Sequence, residues 1–196
     1  MHGRGRPVFS FEFFPPKDEA SVAHVLASVA DLKEALAPNF VSVTNGAGGS
    51  TRARTLDTVT RIQRELRVDA MAHLTCAGVT ESNLCEELAG LLGNGIENIL
   101  ALRGDPPKGT VGFTPMTGGF AHASELAGFI RKRHPWLCIG GACYPEGHVE
   151  CRDLEQDLLN LRKKVDAGAD FLVTQLFFDP ADYFAFVKRS RAIGIS

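Results

Sequence analysis

The sequence has no C-x-x-C pair, no long apolar run and almost no net charge. Its five cysteines, Cys76, Cys85, Cys138, Cys143 and Cys151, are an odd set at irregular spacings, which favours reduced thiols in the cytoplasm over a disulfide framework. No apolar stretch reaches the roughly 20 residues that a membrane span needs. The formal net charge of -2 offers no broad basic surface, so neither nucleic acid nor a membrane is an expected partner. A small-molecule substrate fits this composition.

A G-x-G-x-x-G motif is also absent, and with it the main signature of a dinucleotide-binding Rossmann sheet. Short segments rich in Val, Ile, Phe and Leu alternate with longer amphipathic segments, as in repeated βα units around a parallel sheet. The predicted strands cover residues 8–14, 40–44, 70–76, 99–103, 138–144 and 171–177. The predicted helices cover residues 22–36 and the stretches around 51–66, 81–92, 123–133, 153–167 and 180–193. Residues 106–120 form the longest irregular stretch.

Polar residues stand at the carboxyl ends of the predicted strands: Glu12, Thr44, His73, Arg103 with Asp105, Tyr144 with Glu146, and Gln175. In a (β/α)8 barrel these ends meet at one mouth, so we predict an α/β fold of the (β/α)8 TIM barrel type over an open doubly wound sheet. Such a barrel has eight units, and about six are present here. Residues 1–196 are therefore predicted to form a single barrel domain lacking its last two βα units, as a fragment or as a natural short form.

Motif-like segments follow one another along the whole chain: residues 10–16 (SFEFFPP), 41–44 (VSVT), 73–76 (HLTC), 101–105 (ALRGD), 144–148 (YPEGH), 157–168 (DLLNLRKKVDAG) and 174–179 (TQLFFD). In this order they resemble the motifs of the methylenetetrahydrofolate reductase family. The resemblance implies a barrel that binds FAD and works by a ping-pong reaction. NAD(P)H would reduce the flavin and leave, and 5,10-methylenetetrahydrofolate would then take the hydride to become 5-methyltetrahydrofolate. The resemblance also implies a homo-oligomer in the complete form.

Three residues would act on the substrates. Glu12 matches the family's general acid, which protonates the departing ring nitrogen of the folate, and its place between Phe11 and Phe13 aims it away from their face. Asp105 matches an aspartate near the flavin and the pterin, where a carboxylate steadies a cationic iminium. From the residues alone, a solvated loop position or a helix cap is the favoured interpretation of Asp105. Gln175 matches a glutamine that hydrogen-bonds both alternating substrates, with a buried barrel glutamine as the alternative.

The resemblance also implies a set of FAD contacts: Thr44, His73, Arg103, Gly104, Asp105, His122, Ala123, Ala142, Tyr144, His148, Asp157, Asn160, Lys163 and Lys164. Among them Asp157, Asn160 and Lys164 would reach the ribose, adenine or phosphates, and their spacing puts them on one helical face. A solvated helix face is the alternative for this trio, and a satisfied core histidine is the alternative for His73. No group of residues has metal-site spacing, so no metal is predicted.

Three positions differ from the bacterial pattern of the family. Asn45 stands where an aromatic is common, His122 where a tyrosine often covers the flavin, and Lys163 where arginine is frequent near the phosphates. These differences bear on cofactor affinity more than on family membership. Phe177 and Phe178 are predicted to be core residues.

Two other functions stay open. A different barrel flavoenzyme, similar to proline dehydrogenase, would share the fold and hydride chemistry but would lack the proton donor at Glu12. A noncatalytic remnant would bind a nucleotide or a partner without turnover. The compound that reoxidises the reduced flavin separates the first alternative from the folate reductase, and colourless purified protein would favour the second.

Overall fold

The computed structural model describes residues 7–45, 49–106, 109 and 112–195. In these residues six strands and six helices alternate along the chain, which is the predicted pattern of βα units. The strands are β1 (Ser10–Phe13), β2 (Phe40–Val43), β3 (Ala70–Thr75), β4 (Asn98–Leu102), β5 (Cys138–Cys143) and β6 (Phe171–Thr174). The helices are α1 (Glu19–Leu36), α2 (Gly49–Leu66), α3 (Glu81–Gly93), α4 (Ala123–Arg133), α5 (Leu154–Asp166) and α6 (Pro180–Ala192).

The strands form one parallel sheet in the order β1-β2-β3-β4-β5-β6. The register places Glu12 beside Ser42 and His73 beside Leu100. An open doubly wound sheet reverses its strand order at a switch point, whereas this order never reverses. The sheet curls into a half-barrel, and the predicted α/β barrel fold is confirmed. Within the described residues β1 and β6 each pair with a neighbouring strand on one side only.

The core lies between the outer face of the sheet and the helices. Val41, Val43 and Leu74 belong to that face and have no exposed surface. They cluster with buried helix residues such as Leu88 of α3 and Ile130 of α4. A smaller cluster joins β5, α5 and α6: Cys143, Leu158, Leu161, Phe186 and Ile195. Because side chains alternate along a strand, the remaining strand residues face the concave side, where a site can form.

Polar side chains fix where the helices begin. The Asp18 carboxylate accepts a hydrogen bond from the backbone of Ser21 at 2.8 Å, and Thr80 and Asn83 form a reciprocal capping box. Asp153 caps α5 and Asp179 caps α6 in the same way. Each cap satisfies a backbone donor that the helix itself leaves free. None of the helices in the described ranges is both long and apolar enough to cross a membrane.

The predicted ends of several elements need correction. Most strands stop one residue before their predicted carboxyl ends, and β6 stops at Thr174, three residues early. The polar residues that follow leave the ladder and turn into the loops. Phe177 is half-buried and stacks on Tyr183, but the core prediction for Phe178 is wrong because it is 87% exposed after the end of β6. In the predicted irregular stretch 106–120, residues 107, 108, 110 and 111 lie outside the described residues.

Candidate functional site

Two adjoining cavities open at the carboxyl ends of the strands. The central cavity, of about 560 Å³, is lined by residues that end or follow all six strands. The lateral cavity, of about 510 Å³, lies between the ends of β4 and β5, the first turn of α4 and one face of α5. Five lining residues belong to both: Leu102, Gly104, Asp105, Ala142 and Tyr144. Both volumes fall within the range of small-molecule sites, and their shared wall makes them one continuous site.

Every predicted site residue lies on one of these cavities. The central cavity holds Glu12, Thr44, His73, Gly104, Asp105, Ala142, Tyr144 and Gln175. The lateral cavity holds Arg103, Gly104, Asp105, His122, Ala123, Ala142, Tyr144, His148, Asp157, Asn160, Lys163 and Lys164. The residues that the resemblance relates to substrate chemistry therefore meet in the central cavity, and those related to phosphates and ribose meet in the lateral one.

Glu12 and His73 face each other on the concave side of the sheet. Phe11 and Phe13 pack against the core, so the alternation of β1 puts Glu12 on the opposite side. Oε2 of Glu12 lies 3.4 Å from Nε2 of His73 without hydrogen-bond geometry, and this buried nitrogen has no other hydrogen-bond partner. Burial lowers the pKa of His73 to about 4 and raises the pKa of Glu12. At neutral pH the imidazole is therefore uncharged.

Gly104 brings the backbone close to the end of β3. Its φ of 81° lies in the left-handed region. A Cβ at this position would lie 2.9 Å from Cβ of Ala77, closer than real Cβ atoms approach, and 3.1 Å from Cβ of Thr75, a tight contact. The next residue, Asp105, is exposed and lines both cavities. In the part of the chain that the structure describes, the next helix after Asp105 is α4, which begins after His122, so the helix-cap interpretation of Asp105 is wrong.

One face of α5, from its first turn to its last, forms one wall of the lateral cavity. Lys164 extends across Gly141 of β5, where a Cβ would lie 2.7 Å from Cδ of the lysine. Its Nζ donates a hydrogen bond to the carbonyl of Ala142 at 2.5 Å, and burial lowers the pKa of Lys164. Two turns earlier, Oδ2 of Asp157 accepts a hydrogen bond from the backbone of His148 at 3.2 Å. The helical face predicted to carry Asp157, Asn160 and Lys164 thus faces the lateral cavity.

Tyr144 and His148 make an aromatic corner on the same cavity. Their rings meet edge to face, with centroids 4.7 Å apart and planes at 81°. Burial raises the pKa of Tyr144, which keeps its hydroxyl protonated and able to donate. Among the residues that the structure describes, no three His, Cys, Asp or Glu side chains form a group suited to a metal ion.

A model of the family described as "Methylenetetrahydrofolate reductase" matches residues 1–196. The chain belongs to the methylenetetrahydrofolate reductase family. It is 42% identical over 202 residues to a probable methylenetetrahydrofolate reductase (NADH) of Oryza sativa, an alignment that covers 98% of this chain and 34% of the rice protein. It is 38% identical over 192 residues to the 5,10-methylenetetrahydrofolate reductase of Salmonella typhimurium, which covers 98% of this chain and 62% of that relative. The chain thus spans about a third of the plant relative and under two thirds of the bacterial one.

A solved structure supports the fold alone. An uncharacterized protein from Clostridium thermocellum, which binds two copies of 5-methyl-5,6,7,8-tetrahydrofolic acid, superposes with a TM-score of 0.63 at 14% sequence identity. The match covers 97% of this chain and 62% of that protein. At this identity the likeness bears only on the barrel architecture of the chain.

Sequence reasoning missed two residues at the lateral cavity. Glu150 forms an ion pair with Arg103, and the ring of Phe113 lies 5.0 Å from the guanidinium carbon of the same arginine. The only sequence signal for Glu150 is its place two residues after His148, in the loop that follows a strand. The sequence gives no signal for Phe113, because this residue lies in the irregular stretch 106–120, where no helix or strand periodicity applies.

A third missed residue lies behind the central cavity. Oε1 of Glu87, on α3, accepts a hydrogen bond from Nδ2 of Asn45 at 3.4 Å. Burial raises the pKa of Glu87 to about 7, while the charge of Arg52 and the bond from Asn45 oppose that rise. Asn45, which departs from the pattern of bacterial methylenetetrahydrofolate reductases, is thus paired with a carboxyl group of this chain.

Proposed function

We propose that this chain forms the flavin and folate site of an enzyme that reduces 5,10-methylenetetrahydrofolate to 5-methyltetrahydrofolate with NAD(P)H. One observation carries the proposal: a cavity lined by the basic side chains of Arg103, Lys163 and Lys164 and a cavity that contains Glu12 share the wall formed by Gly104 and Asp105. A dinucleotide that spans this wall would place its phosphates in the lateral cavity. Its ring system would then lie in the central cavity beside Glu12 and Gln175.

The residues present fit FAD. The diphosphate has cationic partners in Arg103 and Lys164, and the amine of Lys164 is buried with a carbonyl as its hydrogen-bond partner. Asp157 and Asn160 offer polar side chains to a ribose. The absence of a side chain at Gly104 lets this part of the shared wall pack closely against the end of β3. When bound, FAD would accept a hydride from the nicotinamide and pass it to the folate.

Glu12 is the proton donor of this proposal. Opening the five-membered ring of methylenetetrahydrofolate needs a proton on the departing nitrogen, and a carboxylic acid delivers it best when its pKa approaches the working pH. Burial raises the pKa of Glu12, and the adjacent His73 is neutral, so no cation at that position pulls the pKa back down. The surroundings of Glu12 thus shift its pKa in the direction that a general acid requires.

Asp105 and Gln175 would bind and orient the substrates. The exposed carboxylate of Asp105 offers negative charge to the cation that forms when the folate ring opens. The amide of Gln175, at the end of β6, can both donate and accept hydrogen bonds. It therefore suits a cavity that the nicotinamide and the folate occupy in turn, which is the ping-pong order that we propose.

The test starts from the absorbance spectrum of the purified protein with and without added FAD. We expect flavin to remain with the protein through gel filtration, to bleach anaerobically with NADH or NADPH, and to regain its colour with methylenetetrahydrofolate. Protein that retains no flavin from excess FAD would contradict the cofactor assignment. Flavin that another acceptor reoxidises, and the folate does not, would contradict the substrate.

A further inference from the structure

An ion pair joins the loop after β4 to the loop after β5 at the edge of the lateral cavity. Nη1 of Arg103 lies 2.5 Å from Oε2 of Glu150, and Nη2 lies 2.8 Å from Oε1. This end-on, bidentate arrangement fixes the guanidinium plane as well as its position. Both residues line the cavity.

Within the described residues, two of the N–H donors of Arg103 have no hydrogen-bond partner. Its Nε donates to the carbonyl of Gly104 at 3.3 Å, and Phe113 lies against the guanidinium at 5.0 Å. Arginine has five N–H donors, and Gly104 and Glu150 take three of them. One N–H on Nη1 and one on Nη2 therefore remain for a ligand.

Glu150 is itself anchored through the backbone. Its N–H donates to Nδ1 of His148 at 3.1 Å, and the N–H of His148 donates to the carboxylate of Asp157 on α5. The side chain of Glu150 is 48% exposed, against 21% for Arg103. The carboxylate is thus the more exposed partner of the ion pair, and the guanidinium is the more buried one.

We propose that Glu150 is a positioning residue, whose carboxylate orients Arg103 so that a remaining N–H group donates to the diphosphate of the dinucleotide. This inference rests on the proposed function. A carboxylate near a phosphate repels it, so Glu150 aids binding only through the geometry that it imposes on Arg103. The contribution of Glu150 to FAD affinity must therefore disappear when Arg103 is absent.

The experiment is a double-mutant cycle on FAD affinity, read by the quenching of flavin fluorescence in the Glu150→Gln, Arg103→Gln and doubly substituted proteins. Glu150→Gln keeps the side-chain shape and one acceptor but loses the charge and the bidentate pair. We expect it to weaken FAD binding about tenfold, or 1.4 kcal/mol, and to change affinity less than twofold in the Arg103→Gln background. Glu146→Gln, an exposed carboxylate of the same loop, is the matched control for the loss of one negative charge.

Tighter FAD binding by Glu150→Gln would make Glu150 a competitor of the phosphates and overturn the proposal. The proposal would also be overturned if Glu150→Gln weakened FAD binding equally in the presence of Arg103 and in the Arg103→Gln protein. Glu150 would then support the loop independently of Arg103. Circular-dichroism melts of each variant exclude a general loss of folding. If wild-type protein retains FAD and Glu150→Gln binds it equally well, this inference fails and the proposed function stands. If wild-type protein retains none, both fail.

Discussion

Oε2 of Glu12 and Nε2 of His73 come within 3.4 Å although β2 separates their strands. The curl of the sheet brings the two side chains together over the smaller Ser42 of the intervening strand. A carboxyl group and a neutral imidazole thus share the floor of the central cavity. This pair is where the chemistry of the proposed reaction can be tested most directly.

Glu12→Gln should separate the two half-reactions of the intact enzyme. The substitution keeps the shape and polarity of the side chain but removes the transferable proton. Reduction of the flavin by NADH or NADPH needs only hydride transfer, so its rate should change little. Reoxidation by methylenetetrahydrofolate should slow by about 100- to 10,000-fold, the usual cost of losing a general acid.

Anaerobic stopped-flow absorbance measures both steps in the Glu12→Gln protein. Glu146→Gln, which removes a carboxylate outside the linings of both cavities, should leave both rates unchanged. Equal slowing of the two steps by Glu12→Gln would mean that this residue supports the cavity or binds both substrates alike, and its assignment as proton donor would have to be abandoned.

Gly104→Ala should abolish flavin retention while the protein still folds. The new Cβ would meet Ala77 and Thr75 in a left-handed backbone conformation, and such strain costs about 1 to 3 kcal/mol. The loop that carries Asp105 would have to move away from β3. Flavin content after gel filtration and urea unfolding measure the two effects.

Gly93→Ala is the control for the glycine substitution. Nothing lies within 4 Å of a Cβ at Gly93, the last residue of α3. Alanine there should keep stability or raise it slightly through helix propensity, with flavin retention unchanged. A Gly104→Ala protein with normal stability and normal flavin content would contradict the close packing of this loop.

Glu87 should make stability fall as pH rises. Its folded pKa of about 7 lies above the ordinary value of 4.5, so the folded state binds more protons between these values. The resulting stabilisation is complete below pH 4.5 and is lost as pH rises through 7, by roughly 2 to 3 kcal/mol. Burial of His73 acts in the opposite sense, because its folded pKa is depressed to about 4, and stability falls as pH drops below 6.5.

Comparison with Glu87→Gln isolates the contribution of Glu87, since His73 is common to both proteins. Between pH 5 and pH 8 the variant should lose roughly 2 kcal/mol less of its unfolding free energy than wild-type protein, as measured by urea denaturation. Glu86→Gln, an exposed neighbour on the same helix, should follow the wild-type curve. Parallel curves for wild type and Glu87→Gln would show that Glu87 titrates as a solvated glutamate.

The 196-residue polypeptide by itself should self-associate. In the described residues β1 and β6 leave one side unpaired, and exposed apolar side chains such as Phe14, Leu176 and Phe178 lie just beyond these strands. Unpaired strand edges template association, whereas closed barrels have none. Sedimentation velocity should show concentration-dependent oligomers. A monodisperse monomer that melts cooperatively would contradict this prediction and indicate a self-sufficient unit of six strands.

Local sequence patterns predicted the strands, the helices and the faces on which their side chains lie. They predicted fewer of the contacts between residues far apart in the sequence. Alternation around Glu12 and the three-and-four spacing of Asp157, Asn160 and Lys164 placed these side chains correctly, because strand and helix periods depend only on neighbouring residues. The hydrogen bond between Asn45 and Glu87 joins positions 42 residues apart. Helix and strand periodicities relate only nearby residues, so they could not predict this contact. Phe178 was misplaced for a related reason, since its strand ends earlier than the apolar run suggests.

The strictly sequential order of the sheet has a consequence for how the protein is made. Each strand pairs with the one synthesised immediately before it, so no segment must wait for a distant part of the chain. Contacts of short sequence separation form at a low cost in loop entropy. A nascent chain leaving the ribosome can therefore extend the sheet one βα unit at a time, beginning at β1.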